Sequence, residues 1–370
     1  MEPVSLPQTA AVWGQQQGQE RIECFFDADP DERYPWSMSS SRKIGVLLGG
    51  LSVERDTSVR AGQAVTSALR RMGHETCSMF VDRDIDVALR QTKIDVAFLA
   101  VRGRYSADGC LQGVLELHGI PYTGSGVLAS GLAMNRAKTK DILRLFNLPV
   151  APGYVLRSNH DGSVMDVHGS FGFPVVVRPV SASLLWGGTL ARDEMELESA
   201  LEDVFRLEDS ALVERCLHGR PVSVGILDGI ALSMVEVPRA SSWVGLRSVG
   251  ARGQEMCSPV RLSRERRDSV LRLAAHAYDA LGCEGPACVE MLLSERLNET
   301  IVDVDTSPML LPTSPMGIIA SQAGYDYDEF VEEILQGARL RAHGRHSNRR
   351  VTQVAFEGYD RRASAVPEAH

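Results

Sequence analysis

KIGVLLGG, residues 43–50, is a short apolar run closed by two glycines, the pattern of a buried parallel strand that turns into a helix. A helix is therefore expected next. Ser52 is placed to cap it, Val59, Gly62, Val65, Leu69 and Met72 recur at three- and four-residue intervals, and Gly73 stops it. Strands are expected at 76–81 and 94–101, with a helix at 111–118. Strand and helix alternating at these spacings is a βαβ arrangement, which predicts a small open parallel α/β domain over 43–135.

Beyond that domain a helix carries Arg136, Lys138 and Lys140, followed by a strand at 173–179, the pair Gly187-Gly188 and a helix at 195–205. These make a second unit, 136–210. From 211 onward come short strands at 211–216, 222–227 and 230–237, a long helix at 265–281, strands at 287–293 and 300–304, and helices to about 342, a third unit. Upstream, residues 1–42 are polar and turn-rich, with three glutamines at 15–17 and Asp27, Asp29, Pro30 and Asp31. Such a stretch buries too little apolar area to offset its chain entropy and reads as a disordered tail. Met38, ahead of Ser39-Ser40-Ser41-Arg42-Lys43, resembles a second start of translation. Residues 343–370 read as a flexible C-terminal tail.

With 370 residues, 44% apolar and 24% charged, the chain is long enough for two or three domains and is not disordered as a whole. Its 39 Lys and Arg against 48 Asp and Glu leave a net charge of -9, which supplies no basic field for a nucleic-acid partner. No apolar run approaches the roughly 18 to 20 residues that cross a bilayer, so a cytoplasmic protein with no membrane partner is expected. The seven cysteines show no C-x-x-C spacing, against both a zinc knuckle and a disulfide framework.

Several residues could carry chemistry. Gly49-Gly50-Leu51-Ser52-Val53-Glu54-Arg55 joins a strand to a helix N-terminus, where free N–H groups favour an anion, although such a turn is as often turn chemistry alone. Glu290 stands on one expected strand and Asp303 with Asp305 on the next. Period two puts both aspartates on one face, and an antiparallel neighbour could bring Glu290 alongside. Three such carboxylates repel unless a cation lies among them, and hard oxygens suit Mg²⁺ carrying substrate phosphates; acids exposed at a strand end are the plainer reading. Arg136 and Arg178 could pair phosphates through a planar guanidinium, although Arg178 at the end of Pro174-Val175-Val176-Val177 could equally snorkel to solvent. Glu214 ends Leu212-Val213-Glu214, with a ligand amine or solvent as its partner.

Together these segments resemble the D-alanine-D-alanine ligase family of the ATP-grasp superfamily. The resemblance runs from about Lys43 to Gln336 and is carried by KIGVLLGGLSVERDTS (43–58), DGCLQGVLELHGIPYTGSGVLASGLAMNRAKTK (108–140), LPVAPGYVL (148–156), FPVVVRP (173–179), LVERCLHG (212–219) and DTSP (305–308). It implies an α/β (α+β ATP-grasp) fold: the N-terminal open domain over 43–135, then a central lobe over 136–210 and a C-terminal lobe over 211–342. It also implies a reaction in which ATP, with Mg²⁺ or Mn²⁺, phosphorylates the carboxylate of D-alanine or another amino acid. A second amino acid's amine then attacks the acyl phosphate, making a peptidoglycan precursor. By resemblance Glu54 orients the first substrate's ammonium and Ser314 binds the second's carboxylate. Arg136 and Arg178 hold ATP phosphates, Glu214 and the backbone at Leu217 meet the adenine, and Glu290, Asp303 and Asp305 hold the metal. A homodimer is one assembly the resemblance allows.

The departures from the family pattern cluster at the chemistry. Both phosphate lysines are arginines here, and the metal set Asp, Glu, Asn reads Glu290, Asp303, Asp305. An arginine that steadies the transferring phosphoryl group falls at Cys288, an oxyanion-hole glycine at Met309, a histidine near the first substrate at Arg102, and the acid before Asp108-Gly109 at Ala107. The phosphate loop reads Ala182-Ser183-Leu184-Leu185 with Trp186, Pro221 replaces a ribose-binding glutamate, and the lid segment 239–257 offers Arg247 and Arg252 but no lysine or tyrosine. Three functions follow: a ligase with impaired or altered activity, a catalytically dead homologue that binds nucleotide or metabolite, and a structural or interaction protein on the same scaffold.

Overall fold

The computed structural model describes residues 42–181, 188–237, 258–294 and 299–341. The expectations for the two tails, a start at Met38, the loop from Ala182 to Trp186 and the lid with Arg247 and Arg252 concern residues outside these.

Three sheets carry the chain. The first has the parallel order β2-β1-β3, from β1 (Lys43–Gly49), β2 (Glu75–Val81) and β3 (Val96–Leu99). β1 is central and almost wholly buried, as its unbroken apolar run requires. The crossover helix α1 (Arg55–Arg71) lies so close that a Cβ on Gly62 would stand 2.5 Å from Leu48 Cβ, so that position accepts only hydrogen. Its N-cap is Glu54, not Ser52. Ser52 Oγ instead accepts from the Glu54 amide at 3.2 Å and donates to the Arg102 carbonyl at 3.1 Å, which ties the turn to the end of the sheet. Two helices were not anticipated here. In α2 (Ile85–Thr92) only Ile85 and Leu89 are buried, too few for a periodic signal, and α4 (Val127–Met134) follows the expected α3 (Cys110–His118) after one short loop.

The second sheet is antiparallel, order β4-β7-β5-β6, from β4 (Gly153–Arg157), β5 (Val175–Pro179), β6 (Thr189–Ala191) and β7 (Ser210–Arg215). β7 was expected at the head of the third unit, but its register with β4 and β5 places it here, so the chain leaves this sheet after Arg215 rather than at 210. α5 (Arg136–Leu145) precedes the sheet, α6 (Val164–His168) follows β4, and α7 (Glu194–Phe205) covers one face. There Leu197, Ala200, Leu201 and Val204 pack on Val175, Val177, Ala211 and Val213. Strand alternation then turns Arg178 and Glu214 to the opposite face.

The third sheet has order β10-β9-β8-β11-β12, from β8 (Arg220–Leu227), β9 (Ile230–Glu236), β10 (Ser258–Pro259), β11 (Pro286–Leu293) and β12 (Glu299–Asp305). α8 (Arg264–Ala280) buries Val270, Leu271, Ala274 and Tyr278 against Val222, Val224 and Val289. α9 (Pro315–Gln322) and α10 (Tyr327–Gln336) lie on a different core, in which Cys288, Met316 and Phe330 meet Ile44, Val65 and Phe98 of the first unit. The first and third units therefore share apolar packing, which fixes the loop after β3 against the end of β12.

Candidate active site

The site is set by register. β11 and β12 pair antiparallel with Glu290 opposite Asp303 and Cys288 opposite Asp305, and β8 puts Ser223 opposite Glu290. The three carboxylates expected on neighbouring strands are thus brought together, but each meets a different environment.

Glu290 is buried, with Oε1 accepting from Ser223 Oγ at 3.0 Å and Oε2 facing no hydrogen-bond partner. Burial raises its pKa to about 8; the serine bond opposes this and the nearby Asp305 and Asp303 add to it. Glu290 is therefore mostly protonated at neutral pH. For Asp303 burial alone would push the same way, but Arg178 and Arg136 outweigh it and hold the carboxyl below its ordinary value. Arg178 Nη1 donates to Asp303 Oδ2 at 2.8 Å and Arg136 Nε at 3.3 Å.

The same arginines close a larger network. Arg178 Nε and Nη2 donate to Glu214 Oε2 at 3.0 and 2.7 Å, Lys140 Nζ pairs Glu214 Oε1 at 2.7 Å, and Lys140 also donates to the Val302 carbonyl at 3.2 Å. Arg136 Nη1 donates to the carbonyls of Pro179 at 2.9 Å and Ser181 at 2.7 Å. Burial would raise the Glu214 pKa, but Arg178 and Lys140 bring it below the ordinary value. The alternative in which Arg178 snorkels to solvent is excluded, since the residue is 2% exposed.

Glu54 reaches the site from the turn after β1. It is 3% exposed and pairs at Oε1 with Arg102 Nε at 3.2 Å. Arg102 Nη1 and Nη2 both lie 3.3 Å from Asp305 Oδ2, and Nη1 donates to the Ser307 carbonyl as well. Burial works against the charge on Arg102, yet Asp305 and Glu54 raise its pKa above the ordinary value. Four cations, Arg102, Arg136, Lys140 and Arg178, thus face four carboxylates, Glu54, Glu214, Asp303 and Asp305, and the cluster is balanced when Glu290 is neutral. At Cys288 there is no cation: the thiol is buried, 3.9 Å from Met316 Sδ, and burial with Glu290 and Asp305 raises its pKa well above the ordinary value.

Two expected residues stand apart. Ser314 caps α9: its Oγ accepts from the Gly317 amide at 3.3 Å and donates to the Leu311 carbonyl at 2.7 Å, so the hydroxyl serves its own turn. Leu217 is half-buried in the link between β7 and β8, three residues past Glu214. Two residues were missed as site members, Lys140 and Ser223. Lys140 lies one helical turn after Arg136, a spacing that puts both on one face, and Ser223 is found only through strand register.

A cavity of about 20 Å³, room for about one water, is lined by Glu54, Arg102, Asp303, Asp305, Thr306 and Ser307. A larger hollow of about 660 Å³ lies between α5 and β4, and none of Glu290, Asp303 and Asp305 lines it. Among the described residues no three His, Cys, Asp or Glu side chains form a ready metal cage. Mg²⁺, however, is usually held by one or two carboxylates plus substrate phosphates. Glu290 Oε2, buried and unpartnered opposite Asp303, fits that manner of binding.

Comparison with known proteins agrees with this architecture. A family model described as D-ala D-ala ligase C-terminus matches residues 142–336. The chain is 39% identical to a D-alanine--D-alanine ligase of Geobacter sulfurreducens over 305 residues, 82% of this chain and 96% of that one. It is 35% identical to a D-alanine--D-alanine ligase of Anaeromyxobacter dehalogenans, over 82% and 99%. Among solved structures, the D-alanine--D-alanine ligase of Bacillus anthracis complexed with ATP superposes with a TM-score of 0.71 at 28% identity, covering 80% of this chain and 97% of that one. Matched along nearly the whole length of these relatives, with the α/β ATP-grasp architecture and the strand register of the carboxylates in place, the chain belongs to the D-alanine-D-alanine ligase family.

Proposed function

We propose that this protein is an ATP-dependent carboxylate-amine ligase that makes a dipeptide-type precursor of peptidoglycan, with D-alanine, named in its relatives, as the first substrate to test. The observation that supports it most is the convergence of Arg136, Lys140 and Arg178 with Glu290 and Asp303 where the second and third sheets face each other, while Glu54 enters from the first unit. In this reading the N-terminal domain, the central lobe and the C-terminal lobe keep the roles their order suggests: acid binding by the first, nucleotide binding by the other two.

Arg136 and Arg178 receive the triphosphate, their planar guanidiniums donating to phosphate oxygens. Glu214 and the backbone at Leu217 take the adenine end. Mg²⁺ or Mn²⁺ would be held by Glu290 and Asp303, with Asp305 beside them, and would neutralise charge on the transferring phosphoryl group. Ser314 would meet the carboxylate of the amine donor by opening its bond to Leu311. The assembly proposed is a homodimer and the compartment proposed is the cytoplasm; no helix among the described residues is long and apolar enough to cross a membrane. Because Cys288 supplies no cation beside Asp305, turnover should be slower on the order of 10²- to 10³-fold than with a fixed donor there.

Calorimetric titration with Mg²⁺ and ATP, followed by phosphate release with a panel of small amino acids, tests this. Nucleotide binding with substrate-stimulated release is expected. Binding without release would select the catalytically dead homologue, and no binding the structural protein.

A further inference from the structure

We propose that the outer edge of β4 is a docking site for an extended segment of a partner protein in which acidic and apolar side chains alternate, held by strand addition. None of the side chains involved has a role in the ligase reading above.

β4 ends the second sheet, with β7 on one side and no strand on the other. Just beyond its two ends, the Arg215 amide donates to the Pro152 carbonyl at 2.9 Å and the Ser158 amide donates to the Asp209 carbonyl at 3.0 Å. An antiparallel ladder bonds alternate residues, so Tyr154 and Leu156 direct their backbone groups to β7, and those of Gly153, Val155 and Arg157 point away from the sheet. Of these, only the Arg157 carbonyl has a partner among the described residues, the His160 amide at 3.1 Å. Three N–H donors and two carbonyl acceptors are left in a row, and an extended chain lying beside β4 meets all five.

The edge is open: Val155 at its centre is 42% exposed, and the hollow of about 660 Å³ has every residue of β4 in its lining. Tyr154 and Leu156 pack toward α7, so Val155 and Arg157 turn to the opposite face, where Lys140 of α5 reaches Glu214. That side is cationic, although the chain as a whole carries a net charge of -9. Lys138 and Arg144 share one carboxylate, Asp141, at 3.5 and 3.2 Å, and Arg157 forms no ion pair among the described residues. Asp161 is the only other acid in the lining, so these three cations face two acids. Both pairs with Asp141 are exposed, and a peptide carboxylate takes either cation at small cost. The Tyr154 side is less charged: the tyrosine Oη lies 2.8 Å from His168 Nδ1 of α6, and Val167 of that helix is exposed in the hollow. In an added strand, residues opposite Gly153, Val155 and Arg157 point to the α5 side and the residues between them to the Tyr154 side. Acids suit the first set and apolar residues the second.

The test is fluorescence anisotropy of a labelled short peptide of alternating glutamate and valine, titrated with the full-length protein. Two peptides of the same length are compared with it: alternating lysine and valine, and the glutamate-valine peptide N-methylated at every residue, which keeps the acids and loses the N–H groups. The first should bind saturably, and the other two roughly tenfold or more weakly. Val155→Pro removes an N–H that faces away from β7, so the ladder survives while peptide affinity falls roughly tenfold. Arg157→Glu, a change at an exposed side chain, should weaken binding by a similar factor. In hydrogen exchange the peptide should slow the amides of Gly153 and Val155 by roughly tenfold or more and leave those of Tyr154 and Leu156, already bonded to β7, unchanged. No saturation up to about 1 mM, or protection elsewhere in the chain, would overturn the proposal. Equal binding of the N-methylated peptide would reduce the edge to a charged patch and overturn it too. Self-association that Val155→Pro abolishes and the peptide does not compete with would assign the edge to a second copy of this chain instead.

Discussion

Replacing Glu290 by glutamine should remove a pH-dependent loss of stability. In the folded chain the Glu290 carboxyl is protonated up to about pH 8, whereas the unfolded chain ionises it near its ordinary value of 4.5. Between these values the folded state binds more protons than the unfolded state, so the sign is a decline in stability as pH rises from the lower value through the higher. From pH about 6 to about 8 that decline amounts to roughly 2 to 3 kcal/mol, at about 1.4 kcal/mol per pH unit, and above the folded value it levels off. Glu290→Gln keeps the shape and the bond from Ser223 but has no proton to lose. Urea unfolding of both proteins with a chelator present, at pH about 6 and about 9, should show the variant gaining roughly 2 to 3 kcal/mol over wild type between the two conditions. Difference infrared spectra should show a protonated carboxyl band that is lost with a midpoint near pH 8 in the wild type and absent from the variant. Parallel stability curves, or no such band, would refute the claim that burial keeps Glu290 neutral.

Asp303→Asn removes the carboxylate shared by the buried guanidiniums of Arg136 and Arg178; a loss of about 3 to 5 kcal/mol in denaturant unfolding is expected, and a loss below about 1 kcal/mol would show the network to be slack. Ser314→Ala deletes the N-cap of α9 and should cost about 1 kcal/mol, read as a lowered unfolding midpoint with unchanged slope. Cys288→Arg alone forces a long side chain into a buried position beside an Asp305 already claimed by Arg102, and should destabilise by about 2 to 4 kcal/mol. Adding Arg102→His to it should recover part of that loss, and strict additivity of the two changes would argue against a shared partner.

The balance of four cations and four carboxylates gives these predictions a common cause. A group in such a cluster is worth what its removal leaves unpaired, which is why losing one charge is expected to cost more than losing a cap. It also explains how the chain can diverge at its chemistry and still fold, because the apolar faces of the three sheets do not depend on the cluster. The core positions of β1, β5 and β11 are Ile, Val, Leu, Met, Ala and Cys, and they pack on apolar side chains of neighbouring helices and strands.

Much of the fold was legible in the sequence because it is periodic. The apolar run of β1 and the crossover of α1 could be read directly, as could the runs that became β5, β8, β9 and β11, with ends displaced by a residue or two. The misses have local reasons. α2 buries two residues, and β7 sits in the second sheet because its partners β4 and β5 are tens of residues away, which strand periodicity cannot report. Within the site, the period of two correctly paired Asp303 with Asp305 and suggested Glu290 as their neighbour. Nothing local could show that Arg102 would reach Asp305 across 203 residues, or Arg178 reach Asp303 across 125.

The sequence by itself therefore determined the order of the secondary structure, the family and the set of charged groups available, since each of these is carried by spacing along the chain. The tertiary structure alone decided which charge neutralises which, that Glu290 is left as the neutral member, and that Glu54 is already occupied by Arg102. Coulomb energy and desolvation depend on separation in space and on distance from water, and neither is set until the three sheets have packed together.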